Sequence, residues 1–349
     1  MEFWIGLLPY GFRLYAEKAV LGIHRSSTAC QVMSKKKLAI LSIYFGQLPV
    51  YYPYFLFSAK RNSDIDFYIL TDQYSSAKSD KNVHLIPFSY EELRSRIASR
   101  AGLECSISDP WKLNEVKPLL GLIMRDLLAN YSYWGWSDID IIWGNISKFL
   151  SPVMSKNIDI YTTKPFWTAG HCTILKNADA CNLLPLSNPC LESILCSSSY
   201  TAFEESGHRW FQPALDVKTL ISQGLTPSFY DLVCEATSSG LLSSCFDDSI
   251  IEFMDYSTPF QLNWRNGEIS CCESGEKYMY FHLIVLKKIW KFYIPSRFNF
   301  ADYLYITRAG IFPSSTSLFA WWLQKIVYSF NRLFSILLAR IGDYAKSMS

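Results

Sequence analysis

The sequence predicts an α/β chain: a mostly parallel sheet flanked by helices, with amphipathic helices at the two termini. Three observations predict it. Apolar strand-like runs alternate with helical ones from Lys35 onward. Half of the 349 residues are apolar, enough for a sizeable core. Polar residues fall at the ends of the strands, at Phe45-Gly46, Thr71-Asp72 and Asp138/Asp140. Open α/β sheets bind ligands at those carboxyl ends.

In order, Leu38 to Phe45 reads as a buried strand ending at Gly46. A helical stretch runs from Tyr52 to Arg61, and Ile65 to Asp72 is a second strand with a polar end. Val83 to Pro87 is a short third strand. Ser89-Tyr90-Glu91-Glu92 has capping-box spacing and opens a helix to Arg100. The spacing predicts another helix from Lys117-Pro118 to Asn130, with Pro118 in its first turn. Tyr131 to Gly144 follows as an aromatic strand carrying Asp138-Ile139-Asp140. Ile158 to Thr162 and Gly170 to Asn177 are further strands, and residues 178–260, richer in Ser, Cys and Pro, hold helices and loops. Asn266-Gly267 marks a hairpin, and Tyr278 to Leu283 is a late strand. The expected organisation is a terminal segment (1–34), a central domain (35–295, dividing at 150/151) and a C-terminal helical region (296–349).

Composition excludes some functions. A net charge of +2 supplies no field for broad nucleic-acid binding. The ten cysteines include no C-x-x-C pair and no Cys/His set with zinc spacing. No basic residues precede the apolar Phe3 to Leu8, so no secretory signal is expected, and free thiols in a reducing cytoplasm are. Aromatics at 16% fit either a thick core or a sugar or membrane surface. The tail from Leu318 to Ile341 is apolar but keeps Lys325, Ser329, Arg332, Ser335 and Arg340 at spacings of three to five. That suits a basic amphipathic helix in the inner face of the cytoplasmic membrane, or one docked on protein.

Asp138 and Asp140 need a positive partner: a metal ion, an Arg or Lys, or helix N-termini. Residues i and i+2 of a strand share a face, so the two carboxylates can share one divalent cation. Oxygen ligation suits Mg2+ or Mn2+, which leave positions open for phosphate oxygens. A phosphohydrolase using the pair as nucleophile fits poorly, since that chemistry places it after the first strand.

These residues carry a resemblance. The chain resembles nucleotide-sugar glycosyltransferases of the GT-A class, and more closely a bacterial glycosyltransferase-like family of unassigned function associated with surface polysaccharide gene sets. Tyr44-Phe45-Gly46-Gln47-Leu48-Pro49, Ile65 to Asp72, Trp111 to Pro118, Tyr133 to Gly144, Gly170-His171 and Tyr280-Phe281-His282 match its elements over residues 37–290. Trp136 stands where a His is usual, and Leu283 to Leu286 replace the Gln and basic residues that usually follow the late His.

The resemblance implies a donor nucleotide-sugar and a glycan or lipid-linked acceptor. Tyr44, Phe45, Gly46, Thr71 and Asp72 would hold the nucleoside, and Lys112, Lys117 and His171 the diphosphate or sugar. His282 would join Asp138 and Asp140 on the metal. Glu204 or Glu205, then Asp247, would be the base of an inverting reaction. Bland readings stand beside these: Asp72 as a turn residue, Glu115 paired with a neighbouring Lys, His282 as a core residue. The alternative function is a non-catalytic relative that binds glycan or nucleotide.

Overall fold

The computed structural model describes residues 36–73, 81–252, 260–289, 292–295 and 303–312, with Ile326 and Phe330. The expected N-terminal segment and nearly all of the apolar tail lie outside them. Among the described residues, no helix is long and apolar enough to cross a membrane.

The chain is mixed α/β around a seven-stranded, mostly parallel sheet. Its members are β1 (Lys36–Ile43), β2 (Ile65–Thr71), β3 (Val83–Pro87), β4 (Tyr131–Ser137), β6 (Ile160–Thr162), β7 (Cys172–Lys176) and β8 (Ser244–Phe246). They lie in the order β3-β2-β1-β4-β7-β6-β8, with β7 antiparallel to both neighbours. A three-stranded sheet joins β5 (Ile141–Trp143), β9 (Ile250–Glu252) and β13 (Tyr280–His282). A five-stranded sheet contains β10 (Gln261–Arg265), β11 (Glu268–Cys271), β12 (Lys277–Tyr278), β14 (Tyr303–Thr307) and β15 (Gly310–Phe312).

Central β1 reads as a continuous apolar run because both of its faces are covered. Ala39 and Leu41 face one core cluster with Trp134 and Trp136; Leu38 and Ile40 face the other with Phe67 and Trp143. Ser89 caps Tyr90–Ala101, accepting from Glu92 N at 3.1 Å, but only this half of the expected capping box forms, since the Glu92 carboxylate accepts from Arg96 one turn on. The Asn-Gly hairpin also forms: Asn266 and Gly267 both have positive φ, 51° and 86°, as a type I′ turn requires.

The helix expected from Lys117 to Asn130 is different. A 3-10 stretch runs from Pro110 to Leu119, and two short α turns follow, Leu120–Ile123 and Arg125–Leu128. Residues i and i+3 eclipse in 3-10 geometry, which lays Lys112 against Glu115.

Gly135 interrupts the aromatic run of β4 for a steric reason. A Cβ there would sit 2.4 Å from Ile174 Cδ1 and 2.7 Å from the Thr173 carbonyl on β7. Gly135→Ala should therefore cost about 1–3 kcal/mol. A chemical-denaturation midpoint equal to wild type would count against this packing.

Candidate functional site

The site lies where β4 ends. Asp138 and Asp140 do not continue the strand; they occupy the bend between β4 and β5. Two backbone bonds set this bend: Asp138 N donates to the His171 carbonyl at 3.1 Å, and Leu283 N donates to the Asp140 carbonyl at 2.9 Å. The acids are thus brought together by the bend and by β13, rather than by the period of a strand.

Asp140 is 3% exposed and is ringed by cations. His282 Nε2 lies 3.3 Å from its Oδ2, and Lys287 ion-pairs with the same oxygen. Burial alone would raise its carboxyl pKa, but His282 and Lys287 hold it far below the usual carboxylate range. Burial would likewise lower the His282 pKa; Asp140 and Glu252 instead raise it to about 9. Asp138 is 31% exposed and ion-pairs with Lys117, whose ammonium also donates to the Gly170 carbonyl at 2.8 Å. Asp138, Asp140 and His282 each offer a ligand atom, all within 4.8 Å of one another.

The loop after β1 reaches the same strand ends. Asp72 Oδ1 accepts from Gly46 N at 2.8 Å, so this acid pins the Tyr44-Phe45-Gly46 turn. Thr71 is buried behind it. Tyr44 is near enough to the acids that its phenol pKa is raised, by burial first and then by the charge of Asp140. His171 is buried: its Nδ1 meets the Tyr280 hydroxyl at 2.7 Å, and its Nε2 has no hydrogen-bond partner.

Some expected site residues are placed elsewhere. Lys112 does not reach the acids. Its ammonium is buried on Glu115 and donates to the carbonyls of Ile194 at 2.8 Å and Ser199 at 2.9 Å. Glu115 also accepts from the backbone N–H and the hydroxyl of Thr201. Asp247 accepts from the Tyr161 hydroxyl at 2.8 Å, and its partners belong to β6 and the turn after β8. Trp136 is a core residue, packed on Trp134 and Phe229 and donating to the Ala169 carbonyl at 3.1 Å. It therefore supports the segment before Gly170 from the core side.

The acidic pair divides. Glu204 is buried, takes the Tyr200 hydroxyl at 2.5 Å, and leaves Oε2 without a partner. Burial raises its pKa from 4.5 to about 8, against the pull of Lys117, so the protonated form dominates at neutral pH. Glu205 lies against Gly170, where an added Cβ would be 2.6 Å from its Oε1, and accepts from Trp210 Nε1 at 3.0 Å.

Unfolding at intermediate pH releases the Glu204 proton. Its contribution is therefore fully present below pH 4.5 and is lost as pH rises toward 8, by up to ~1.4 kcal/mol per pH unit. Relative to Glu204→Gln, wild type should lose melting temperature between pH 5 and pH 8. Parallel curves for the two proteins would show that the carboxyl ionises normally.

Two participants escaped the sequence reading. Lys287 lies five residues after His282 and reaches Asp140; the signal was a basic residue after the late His, displaced by an apolar insert. Glu252 contacts His282 and Lys164, and nothing in Ile250-Ile251-Glu252 marks it.

Fold and site together define an α/β protein with an acid–histidine cluster at the carboxyl edge of a parallel sheet. Residues 40–314 match the family of unknown function DUF6625, and the chain belongs to that family. A search of curated proteins finds no match.

Three similar solved structures are glycosyltransferases. One is the galactosyltransferase LgtC in complex with donor and acceptor sugar analogues, at 14% identity over 40% of this chain and 58% of that one, with TM-score 0.26. Another is involved in glycosylation of the major capsid of PBCV-1, at 12% identity over 42% and 62%, with TM-score 0.26. The third is mouse xyloside xylosyltransferase 1 in its apo form, at 8% identity over 62% and 88%, with TM-score 0.34. The chain thus matches 58% of the length of the galactosyltransferase.

Proposed function

We propose that this protein is a metal-dependent glycosyltransferase that moves a sugar from a nucleotide-diphosphate donor to a glycan or lipid-linked acceptor in surface polysaccharide synthesis. One observation carries the reading: Asp138, Asp140 and His282 converge within 4.8 Å at the carboxyl edge of the parallel sheet.

Two carboxylate oxygens suit Mn2+ or Mg2+, and the imidazole nitrogen of His282 favours Mn2+ of the two. Asp140 is a buried carboxylate whose neighbours are the cationic His282 and Lys287, and a bound cation would take their place on it. When bound there, such an ion neutralises charge on a leaving diphosphate. The chain's own groups do the rest. Lys117 and Lys287, each on an aspartate, are placed to turn to phosphate oxygens once those acids are otherwise engaged. The Gly46 turn, closed by Asp72, would receive the nucleoside. Glu205, beside Gly170, is the better placed of the two glutamates to face an acceptor.

The acceptor side supports a saccharide. Phe211 is 76% exposed and held at positive φ (63°); it packs edge-on to Trp167 and near Phe166, beside Trp210 on Glu205. A bulky residue kept in that conformation is overdetermined by its surroundings, and rings beside a carboxylate suit a sugar's mixed apolar and hydroxyl faces. Phe211→Ala should raise the acceptor KM several-fold and leave acceptor-independent donor hydrolysis unchanged; an unaltered acceptor KM removes this platform. Placement on the inner face of the cytoplasmic membrane rests on the sequence of the tail alone.

A second reading is a non-catalytic glycan- or nucleotide-binding relative, favoured by the lysines that already neutralise both aspartates. A thermal-shift screen of nucleotide sugars with and without Mn2+ separates the two. Stabilisation by one nucleotide only with metal supports the transferase; metal-independent stabilisation supports the binding protein.

A further inference from the structure

Behind the acidic cluster lies a buried group that the proposed chemistry leaves unused. Glu252 ends β9, which runs parallel to β13 with Glu252 directly across from His282. Its carboxylate is 11% exposed and its two oxygens are divided. Oε1 ion-pairs with Lys164. Oε2 faces both histidines, 2.8 Å from His282 Nδ1 and 3.7 Å from His171 Nε2. The other edge of the His282 ring, Nε2, points to Asp140.

A neutral imidazole carries one N–H and one lone pair, on opposite edges of the ring. A carboxylate at Nδ1 retains the hydrogen there, so the proton that a cation would displace is the one on Nε2, whose lone pair then faces the acids' side. The same contact fixes the plane of the ring. Lys164 occupies Oε1, so Glu252 is held on the histidine side.

We propose that Glu252 is a positioning residue: its bond to Nδ1 sets the tautomer and orientation in which His282 presents Nε2 to a divalent cation shared with Asp138 and Asp140. This rests on the metal reading of those three residues. Glu252 itself touches neither the cation nor the donor.

The test is a Mn2+ titration of the full chain, with free Mn2+ followed by electron paramagnetic resonance. Glu252→Ala should weaken Mn2+ binding by about 10–100-fold. Glu252→Gln, whose amide oxygen still accepts from Nδ1–H, should weaken it less, and it carries the test if the alanine variant does not fold. In metal-free protein labelled with 15N-histidine, a downfield, slowly exchanging His282 Nδ1 proton should be present in wild type and Glu252→Gln and absent in Glu252→Ala. A merely structural role would lower the melting temperature without moving affinity. Unchanged Mn2+ affinity in both folded variants overturns the proposal for Glu252 while the metal reading stands. No Mn2+ binding by wild type overturns both.

Discussion

Replacing Asp140 with alanine should abolish Mn2+-dependent donor turnover, with a loss of roughly 100-fold or more. The size follows from the several kcal/mol that a metal contributes to a departing anion, at about 1.4 kcal/mol per tenfold in rate. The same change strips His282 and Lys287 of the buried carboxylate they share. Lys287 would then lose its buried carboxylate and His282 would keep Glu252 on its other edge, so folding must be checked beside activity. Asp140→Asn keeps the shape and removes the charge, so beside Asp140→Ala it separates the loss of volume from the loss of the anion. Donor hydrolysis with Mn2+, measured on folded protein, decides the matter: a rate within a few-fold of wild type in both variants would end the metal assignment. Asp138→Ala should act in the same direction. Asp138 itself is more exposed, but its removal leaves the buried Lys117 ammonium on the Gly170 carbonyl, so folding is checked for this variant too.

Breaking the buried pair of Lys112 and Glu115 should produce the largest loss of stability with the least direct effect on donor binding. Lys112→Met leaves a carboxylate that is 0% exposed with only Thr201 to serve it. An uncompensated buried charge costs about 3–5 kcal/mol, or roughly 10 °C of melting temperature for a chain of this size. Lys117→Met makes the contrast. It frees Asp138 at the site's mouth and should weaken nucleotide-sugar binding more than it lowers stability. Melting temperature and donor affinity measured on both variants check this; reversed rankings would mean that the two lysines have exchanged roles. The double variant Lys112→Met/Glu115→Gln should recover part of the lost stability, because no unpaired charge then remains.

These two lysines show where sequence reading stops. Both lie in one short run, both precede the acids, and both suit a diphosphate by charge. The 3-10 geometry separates them: it turns Lys112 onto Glu115, three residues on, and sends Lys117 to Asp138 and the Gly170 carbonyl. Nothing in the sequence marks the 3-10 run from Pro110 to Leu119 that carries Lys112 to Glu115, and the helix expected from Lys117 begins inside that run and continues as two short α turns. Trp136 is a similar case. Its neighbours in sequence suggest a site residue, but strand alternation points it with Trp134 into the core.

Elements with local signals were legible. Ser89 caps its helix and Asn266 with Gly267 turns its hairpin, because cap and turn chemistry is settled within four residues. The buried strands were legible because continuous apolar runs have few other uses. Glu252 and Lys287 were not, since each gains its meaning from a partner far along the chain, 30 residues away for Glu252 and 147 for Lys287.

By itself, then, the sequence determined an alternating α/β chain with a polar strand edge and an acidic pair that required a cation. The tertiary structure alone decided what surrounds that pair. Asp138 and Asp140 stand in a bend held by His171 and Leu283 backbone, with His282 delivered by the pairing of β13 against β5. The reason is physical: a charge demand is a property of a residue in its burial, whereas the group that answers it is chosen by which distant strands happen to share an edge.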